Sequence, residues 1–323
     1  MLYPLLFHPV YKERIWGGRR LAEHFGRALP PDVPVGESWE IADRPDTVSV
    51  IANGPLAGKT LRWLMEHHAP ALLGTAPALN GRFPLLVKIL DARTALSVQV
   101  HPPAHVAPAL KGEPKTEAWH VIHAEPGACI HAGLREPVTR QTFAAAIQQG
   151  CVTELIHTLP VQAGDSLFLP SGRVHALGGG VMVFEVQQNS DTTYRVFDWN
   201  RTGPNCQPRK LHIEQSLASI QFDDVRPALS PPQPAVPHQI IAEASGLFYM
   251  HLHRVAPNTT WTSPRPGLSI VGVCTGTLTL ECAASGQPAL SLVPGQFALL
   301  PAQLAATQIT ATAPATFITA GVA

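Results

Sequence analysis

The chain lacks paired cysteines at the two-residue spacing of zinc or redox motifs. Its cysteines are odd in number and widely separated, at Cys129, Cys151, Cys206, Cys274 and Cys282. This spacing is typical of free thiols in a reducing compartment rather than of a disulfide framework. Any metal site is therefore expected to use other ligands.

Charge is scarce and balanced. Charged residues make up 14% of the 323 residues, with 23 Lys plus Arg against 23 Asp plus Glu. No bulk basic surface for nucleic acid or an anionic membrane is expected. No apolar run approaches the ~20 residues that cross a bilayer, and the first residues have no leader pattern. We expect a cytoplasmic protein that binds neither nucleic acid nor membrane.

Turn-forming residues are abundant. The chain has 32 prolines and 25 glycines between short runs of Val, Ile, Leu and Phe, a pattern that predicts many short strands in an all-β sandwich or barrel. The proline-rich segment 226–239 is typical of a linker. It would separate a first domain, 1–225, from a smaller β-domain, 240–323.

A weak internal repeat connects the two predicted domains. Residues 164–170 and 295–301 each place a turn glycine six residues before a strand-ending proline. His175 stands five residues after the first proline, whereas Ala306 stands five residues after the second. The second copy is therefore interpreted as structural.

The stretch from Ala95 to Pro102 has the alternation of a half-buried strand. Its two-residue period sends Leu96, Val98 and Val100 to one face. The polar residues Ser97, Gln99 and His101 then share the opposite face.

Further polar residues lie on other predicted strands. The same alternation places Lys115, Glu117 and Trp119 on one face, and His175 follows a tight turn. Two imidazoles and a carboxylate are a common donor set for a divalent metal, although each histidine taken singly is more often structural.

Residues 181–188 and 192–199 resemble a β-hairpin centred on Ser190. Glu185 and Arg195 would then be directly opposite, as an ordinary cross-strand ion pair or as part of a site. His251 and His253 share a strand face, but the sequence shows no carboxylate near them, so they are set aside.

Several motifs together resemble the type I mannose-6-phosphate isomerases, above all the short bacterial form. The matching segments are Trp16-Gly17-Gly18, residues 36–40, Leu96-Ser97-Val98-Gln99-Val100-His101-Pro102, Lys115-Thr116-Glu117-Ala118-Trp119, residues 170–176 and residues 190–195. The resemblance implies a mainly β, cupin-type jelly-roll barrel with a few helices, followed by a C-terminal β-domain like a degenerate cupin without metal ligands.

The resemblance also implies an activity and its residues. It implies one zinc ion per chain and interconversion of mannose 6-phosphate with fructose 6-phosphate through a cis-enediol. The implied ligands are His101, Glu117 and His175, with Gln99 as the least certain. The long helical insertion of larger family members has no counterpart here, so phosphate contacts drawn from that insertion do not carry over.

Catalytic roles are expected at Arg195, Lys115 and Glu185. Arg195 would stabilise the enediolate, and either Lys115 or Glu185 would transfer the proton. Substrate contacts are expected at Ser97, Trp16 and Lys88, and a monomer is favoured.

Two rival functions use the same residues. Two histidines and a carboxylate also form an iron site, which would make the protein a metal-dependent oxygenase. A cupin that binds a sugar phosphate without turnover is the second rival. An oxygenase would not explain why Lys115 and Arg195 lie near the metal. A protein that only binds a sugar phosphate would not need a complete set of metal ligands.

Overall fold

The computed structural model describes residues 1–202, 207–262, 267–304 and 307–322. The chain forms two compact units. The first contains residues Met1–Val10, Ser38–Ile89 and Gln233–Ala323. The second contains Tyr11–Glu37 and Leu90–Pro232.

Strands dominate the described residues. In chain order they are β1 (Leu5–His8), β2 (Val10–Gly18), β3 (Val35–Ile41), β4 (Val50–Ile51), β5 (Leu85–Ala92), β6 (Val98–Val100), β7 (Glu117–Ala124), β8 (Cys129–Leu134), β9 (Ile156–Pro160), β10 (Ser166–Leu169), β11 (His175–Leu177), β12 (Val181–Gln188), β13 (Tyr194–Phe197), β14 (His238–Ala244), β15 (Phe248–Val255), β16 (Thr259–Thr262), β17 (Ser269–Thr275), β18 (Leu278–Glu281), β19 (Leu290–Leu292), β20 (Phe297–Leu300), β21 (Gln308–Ala311) and β22 (Ala315–Gly321). The helices are α1 (Arg20–Phe25), α2 (Leu61–Leu73), α3 (Arg140–Gln149) and α4 (Ile213–Ser219), with short 3-10 turns at Ala107–Leu110, Val152–Leu155 and Ala283–Ser285. The predicted mainly β fold with a few helices is confirmed.

The first unit contains two sheets. One has the strand order β14-β15-β22-β17-β20-β1-β4, and the other has the order β16-β21-β18-β19. Apolar residues from both sheets, among them Val271, Leu280 and Phe317, form one buried cluster. The core of this unit therefore lies between facing sheets, as in a β-sandwich.

The second unit is built in the same way. Its sheets have the orders β10-β7-β12-β5-β2-β3 and β13-β6-β11-β8-β9, and β2, β3 and β5 also have residues in the first unit. Side chains from both sheets, including Trp119, Leu167 and Ile130, share a buried cluster. The inner faces of the two sheets thus enclose an interior that is apolar over most of its length.

The polar face predicted for the Ala95–Pro102 stretch is present on β6. Val98 and Val100 belong to a cluster that also contains Phe143 of α3, on the outer side of the sheet. Gln99 consequently points to the inner side. Leu96 differs from the prediction, because it belongs to the inner cluster. The regular strand begins only at Val98, since the carbonyl of Leu96 accepts a hydrogen bond from the Trp199 indole at 2.6 Å instead of continuing the ladder.

The predicted hairpin between residues 181–188 and 192–199 is wrong. β12 pairs with β7, with Glu185 opposite Trp119, whereas β13 pairs with β6 in the other sheet. The connecting residues cross between sheets because they bond to a distant segment. Glu113 donates its backbone N–H to Thr192 Oγ1 at 3.0 Å and accepts from Ser190 Oγ at 3.2 Å.

The units differ from the predicted division at 226–239. Residues 1–10 and 38–89 belong with the C-terminal strands. The reason is that β1 pairs with β20, with Leu5 opposite Leu299. The linker itself is partly ordered, because Ser230 forms a β-bridge with Ser166 of β10. The assignment of metal binding to one domain and not the other stays a prediction.

The two copies of the internal repeat have the same local structure. Gly164 and Gly295 both have positive φ angles, 93° and 80°, which favour glycine at the turn. Each turn leads into a four-residue strand, β10 or β20. Ala306, the position that lacks the candidate ligand in the second copy, lies outside the described residues.

Helix α3 has a capping residue at each end. Thr139 Oγ1 accepts the backbone N–H of Thr142 at 3.1 Å, and Gly150 ends the helix in the left-handed conformation. Within the described part of the chain, no helix combines the length and the apolar character needed to cross a membrane.

We expect Gly178→Ala to destabilise the second unit. A Cβ at Gly178 would overlap the carbonyl oxygen of Cys129, so β11 and β8 would have to separate. The free energy of unfolding, measured by urea denaturation, should fall by about 1–3 kcal/mol, as for other overpacked sites. Gly179→Ala is the milder comparison, because its Cβ would meet its nearest neighbour at 3.2 Å. Equal stability of Gly178→Ala and the unmodified chain would contradict this packing.

Candidate metal centre

A row of three polar side chains crosses the five-stranded sheet of the second unit. In the strand register, Gln99 of β6 lies opposite His175 of β11 on one side and opposite Arg195 of β13 on the other. Directly opposite residues point to the same face of a sheet. All three side chains therefore belong to the inner face.

The two histidines are held by backbone carbonyls. His101 Nδ1 lies 2.8 Å from the carbonyl of Thr192, and His175 Nδ1 lies 2.9 Å from the carbonyl of Arg173. A carbonyl can only accept, so each Nδ1 carries the proton and each Nε2 keeps its lone pair. Both imidazoles are thus fixed in the tautomer that ligates through Nε2.

Glu117 approaches both of these nitrogens from β7 of the other sheet. Its Oε1 is 3.2 Å from His175 Nε2, and its Oε2 is 3.5 Å from His101 Nε2. The carboxylate is fully buried, and neither oxygen accepts a hydrogen bond of good geometry from any described residue. Donor atoms of the three side chains lie within 4.8 Å of one another.

This donor set fits a divalent metal. Two neutral imidazole nitrogens direct their lone pairs at the buried Glu117 carboxylate, an arrangement that calls for a cation close to all three groups. A cation coordinated by His101, Glu117 and His175 would satisfy all three groups.

Gln99 is within reach as a fourth donor. Its amide nitrogen is 3.3 Å from His175 Nε2, where it can donate to the imidazole lone pair. A half-turn of the amide would place its oxygen there instead. The position predicted for Gln99 beside the candidate ligands is therefore present, while its role as a ligand stays a prediction.

Lys115 brings a cation to the cluster. Its Nζ lies 2.5 Å from Glu117 Oε2 and 3.2 Å from His101 Nε2, and the side chain is buried. Burial alone would raise the pKa of the Glu117 carboxyl, but Lys115 and the imidazoles outweigh it and hold that pKa well below its usual range. Burial, with Lys115 adding to it, lowers the pKa of His101 to about 3. Both groups are therefore in the protonation state that a metal requires.

Glu185 is buried on the neighbouring strand, β12. It lies opposite Trp119, whose indole nitrogen donates to Glu185 Oε2 at 2.9 Å. The same indole contacts the ring of His175 edge-on, with centroids 5.5 Å apart. Trp119 therefore connects Glu185 to the site, because its indole binds Glu185 and contacts His175.

Arg195 and Glu185 do not form the cross-strand pair considered from sequence, because their strands belong to different sheets. The Arg195 guanidinium donates from Nη1 to the carbonyl of Lys210 at 2.8 Å. Its Nε is buried without a hydrogen-bond partner among the described residues. Burial lowers the pKa of Arg195, and the charge of Arg209 lowers it further.

The three predicted substrate contacts fall in different places. Ser97 is buried just before β6, two residues from Gln99. Trp16 is part of the apolar core cluster of the second unit. Lys88 lies in the first unit, with its Nζ 4.9 Å above the ring of Trp39. Their roles in substrate binding stay predictions.

Sequence reasoning missed Gln187. It lies opposite Glu117 in the register of β12 and β7, is fully buried, and donates from its amide to the carbonyl of Ser190 at 2.6 Å. Its Oε1 has no hydrogen-bond partner among the described residues. The signal was available, since Gln187 is two residues beyond Glu185 and shares its face of the strand.

Comparisons with known proteins identify relatives of this chain. A family profile described as phosphomannose isomerase type I, catalytic domain, matches residues 5–118. Mannose-6-phosphate isomerase ManA of Bacillus subtilis is 43% identical over 225 residues, which cover 69% of each chain. Mannose-6-phosphate isomerase of Streptococcus mutans is 43% identical over 218 residues, which cover 67% of each chain.

A solved structure extends the likeness to nearly the whole chain. The crystal structure of the mannose 6-phosphate isomerase from Bacillus subtilis superposes with a TM-score of 0.88 at 30% identity, covering 99% of this chain and 100% of that one. The cupin-type fold class predicted from the sequence motifs is therefore confirmed. On the strength of these matches and of the buried His-Glu-His cluster, the chain belongs to the type I phosphomannose isomerase family of enzymes.

Proposed function

We propose that this chain is a zinc-dependent aldose-ketose isomerase that interconverts mannose 6-phosphate and fructose 6-phosphate. The observation that carries the proposal is the convergence of His101, Glu117 and His175 on one buried point, in a chain of this family. Zinc suits two imidazoles and a carboxylate with Gln99 beside them. When bound, such a cation polarises a carbonyl or hydroxyl oxygen of the sugar.

The reaction moves a carbonyl from C1 to C2. A base removes the proton on C2, the C–H electrons form the C1=C2 double bond, and the C1 oxygen takes a proton to give a cis-enediol. The C2 hydroxyl then loses its proton, the C2 carbonyl forms and C1 receives a proton. One acid-base group on one face of the sugar suffices for both carbon proton transfers.

Lys115 is favoured for the carbon proton transfer. Its Nζ contacts Glu117 and His101 at the ligand cluster itself, whereas Glu185 is bound by the Trp119 indole. Glu185 is the alternative. In the favoured assignment it fixes Trp119 against the ring of His175.

Arg195 is assigned to the developing negative charge. It shares the inner face with Gln99 and His175, and a partly buried guanidinium stabilises an enediolate more strongly than one in water does. Ser97, Trp16 and Lys88 remain proposed contacts for the sugar phosphate.

The rival functions have less support. An iron oxygenase would share the three ligands, but the relatives reported above are isomerases by name. A binding protein without turnover would not need Lys115 in contact with two proposed ligands.

Addition of a chelator should abolish fructose 6-phosphate formation from mannose 6-phosphate, and zinc should restore it. The measurement is a coupled assay for fructose 6-phosphate, with metal content determined in parallel. Oxygen uptake with iron is the control for the oxygenase alternative. Absence of chelator-sensitive isomerase activity would refute the proposal.

Lys115→Met and Glu185→Gln should separate the two candidates for proton transfer. In deuterated water, the unmodified enzyme should introduce deuterium at the carbons that exchange. Lys115→Met should lose this exchange by at least about 100-fold, the scale of a general acid-base residue. Glu185→Gln should retain most of it.

Metal content measured on both variants shows whether a loss comes from proton transfer or from an empty site. The assignment to Lys115 fails if Glu185→Gln loses exchange with metal bound while Lys115→Met keeps it.

Arg195→Ala should lower turnover by at least about 100-fold, the scale for losing a key transition-state donor. Arg195→Lys keeps the charge and should recover part of the loss. Steady-state kinetics with mannose 6-phosphate give turnover and KM separately. Near-normal turnover of Arg195→Ala would remove the assigned role.

A further inference from the structure

Three histidines lie together on the edge of the seven-stranded sheet in the first unit. His238 of β14 lies opposite His253 of β15, and His251 is two residues before His253 on the same face. The ring of His238 stacks on that of His253 with centroids 5.0 Å apart, and meets His251 at 4.9 Å. His251 and His253 are buried, whereas His238 is exposed.

His253 carries an orphaned ring nitrogen. Its Nε2 lies 2.9 Å from Thr319 Oγ1, but its Nδ1 is buried and has no hydrogen-bond partner among the described residues. Trp261 and Phe317 pack on the ring, with centroids at 4.6 and 5.0 Å, and exclude solvent from those sides. A buried polar atom without a partner destabilises the fold, and a ligand bound at Nδ1 would remove that cost.

His251 has the carboxylate that the sequence did not reveal. Its Nε2 lies 3.1 Å from Glu243 Oε1. Glu243 is on β14, which a register shift between Ile240 and Ala242 offsets against β15. Carboxylate-imidazole pairs of this kind orient histidines that bind metal through their other nitrogen.

We propose that His238, His251 and His253 form a second site for a divalent transition metal, separate from the cluster of His101, Glu117 and His175. One ring nitrogen of each histidine lies within 4.8 Å of the others. A tetrahedral zinc with Zn–N bonds of about 2.05 Å needs nitrogens about 3.3 Å apart, so zinc binding would fix the three nitrogens at this spacing. His238 is the exposed member of the three, so its ring is assigned most of the adjustment on binding. Water completes the coordination.

The site has a structural consequence. β14 is an edge strand of its sheet and the first strand after the proline-rich segment. A metal that joins His238 to two residues of β15 would fix the start of β14. This role requires nothing of the catalytic residues, so it stands or falls independently of the proposed reaction.

The test is zinc stoichiometry and affinity in a background without the first site. The chain carrying His175→Ala, stripped of metal, is titrated with zinc by calorimetry, and bound zinc is counted by native mass spectrometry. We expect one zinc per chain. Adding His238→Ala should weaken this binding by at least about tenfold, because a ligand is lost. Adding His8→Ala, another exposed histidine of the same unit, should leave the binding unchanged.

A thermal shift provides a second readout. Zinc should raise the Tm of the His175→Ala chain and not that of the His175→Ala, His238→Ala chain, since a ligand stabilises only the state that binds it. His238 is exposed, so its replacement should not impair folding. Absence of zinc binding to the His175→Ala chain, or equal affinity with and without His238, would overturn the proposal. The three histidine rings would then only pack against one another.

Discussion

The site depends on one constraint, which is the burial of the Glu117 carboxylate. An isolated carboxylate in an apolar interior is too costly to persist, so the surroundings have to supply positive charge, which Lys115 brings within 2.5 Å. His175 comes from β11 of the opposite sheet and His101 directly follows β6 of that sheet, and a backbone carbonyl fixes each imidazole. Lys115 lies two residues before Glu117, which begins β7. The interior is therefore polar at this end and apolar around Trp119, Leu167 and Ile130.

What the sequence predicted well was local to one strand. The alternation that groups Gln99 with His101, and Lys115 with Glu117 and Trp119, follows from the two-residue period of a strand. Which residues share a face of one strand does not depend on which strands become its neighbours. For that reason these groupings agree with the folded chain.

What the sequence could not predict depends on pairing between distant segments. A short turn near Ser190 is equally compatible with a hairpin and with a crossing between sheets, and the choice is made by bonds to Glu113, 77 residues away from Ser190. The position of Glu243 beside His251 likewise depends on a register shift between β14 and β15, which the amino-acid composition does not predict. The residues of the candidate site could thus be named from motifs, but the partners of Glu185 and Arg195 could not.

The pairing of β1 with β20 has a consequence for how the chain acquires its structure. Leu5 and Leu299 are neighbours in one sheet although 294 residues separate them in sequence. During synthesis β1 leaves the ribosome long before β20, so the seven-stranded sheet cannot be completed until β20 has been made. β4 can pair with Phe7 and His8 early, but the backbone of Leu5 and Leu6 stays exposed until β20 arrives, and exposed strand edges of this kind favour aggregation.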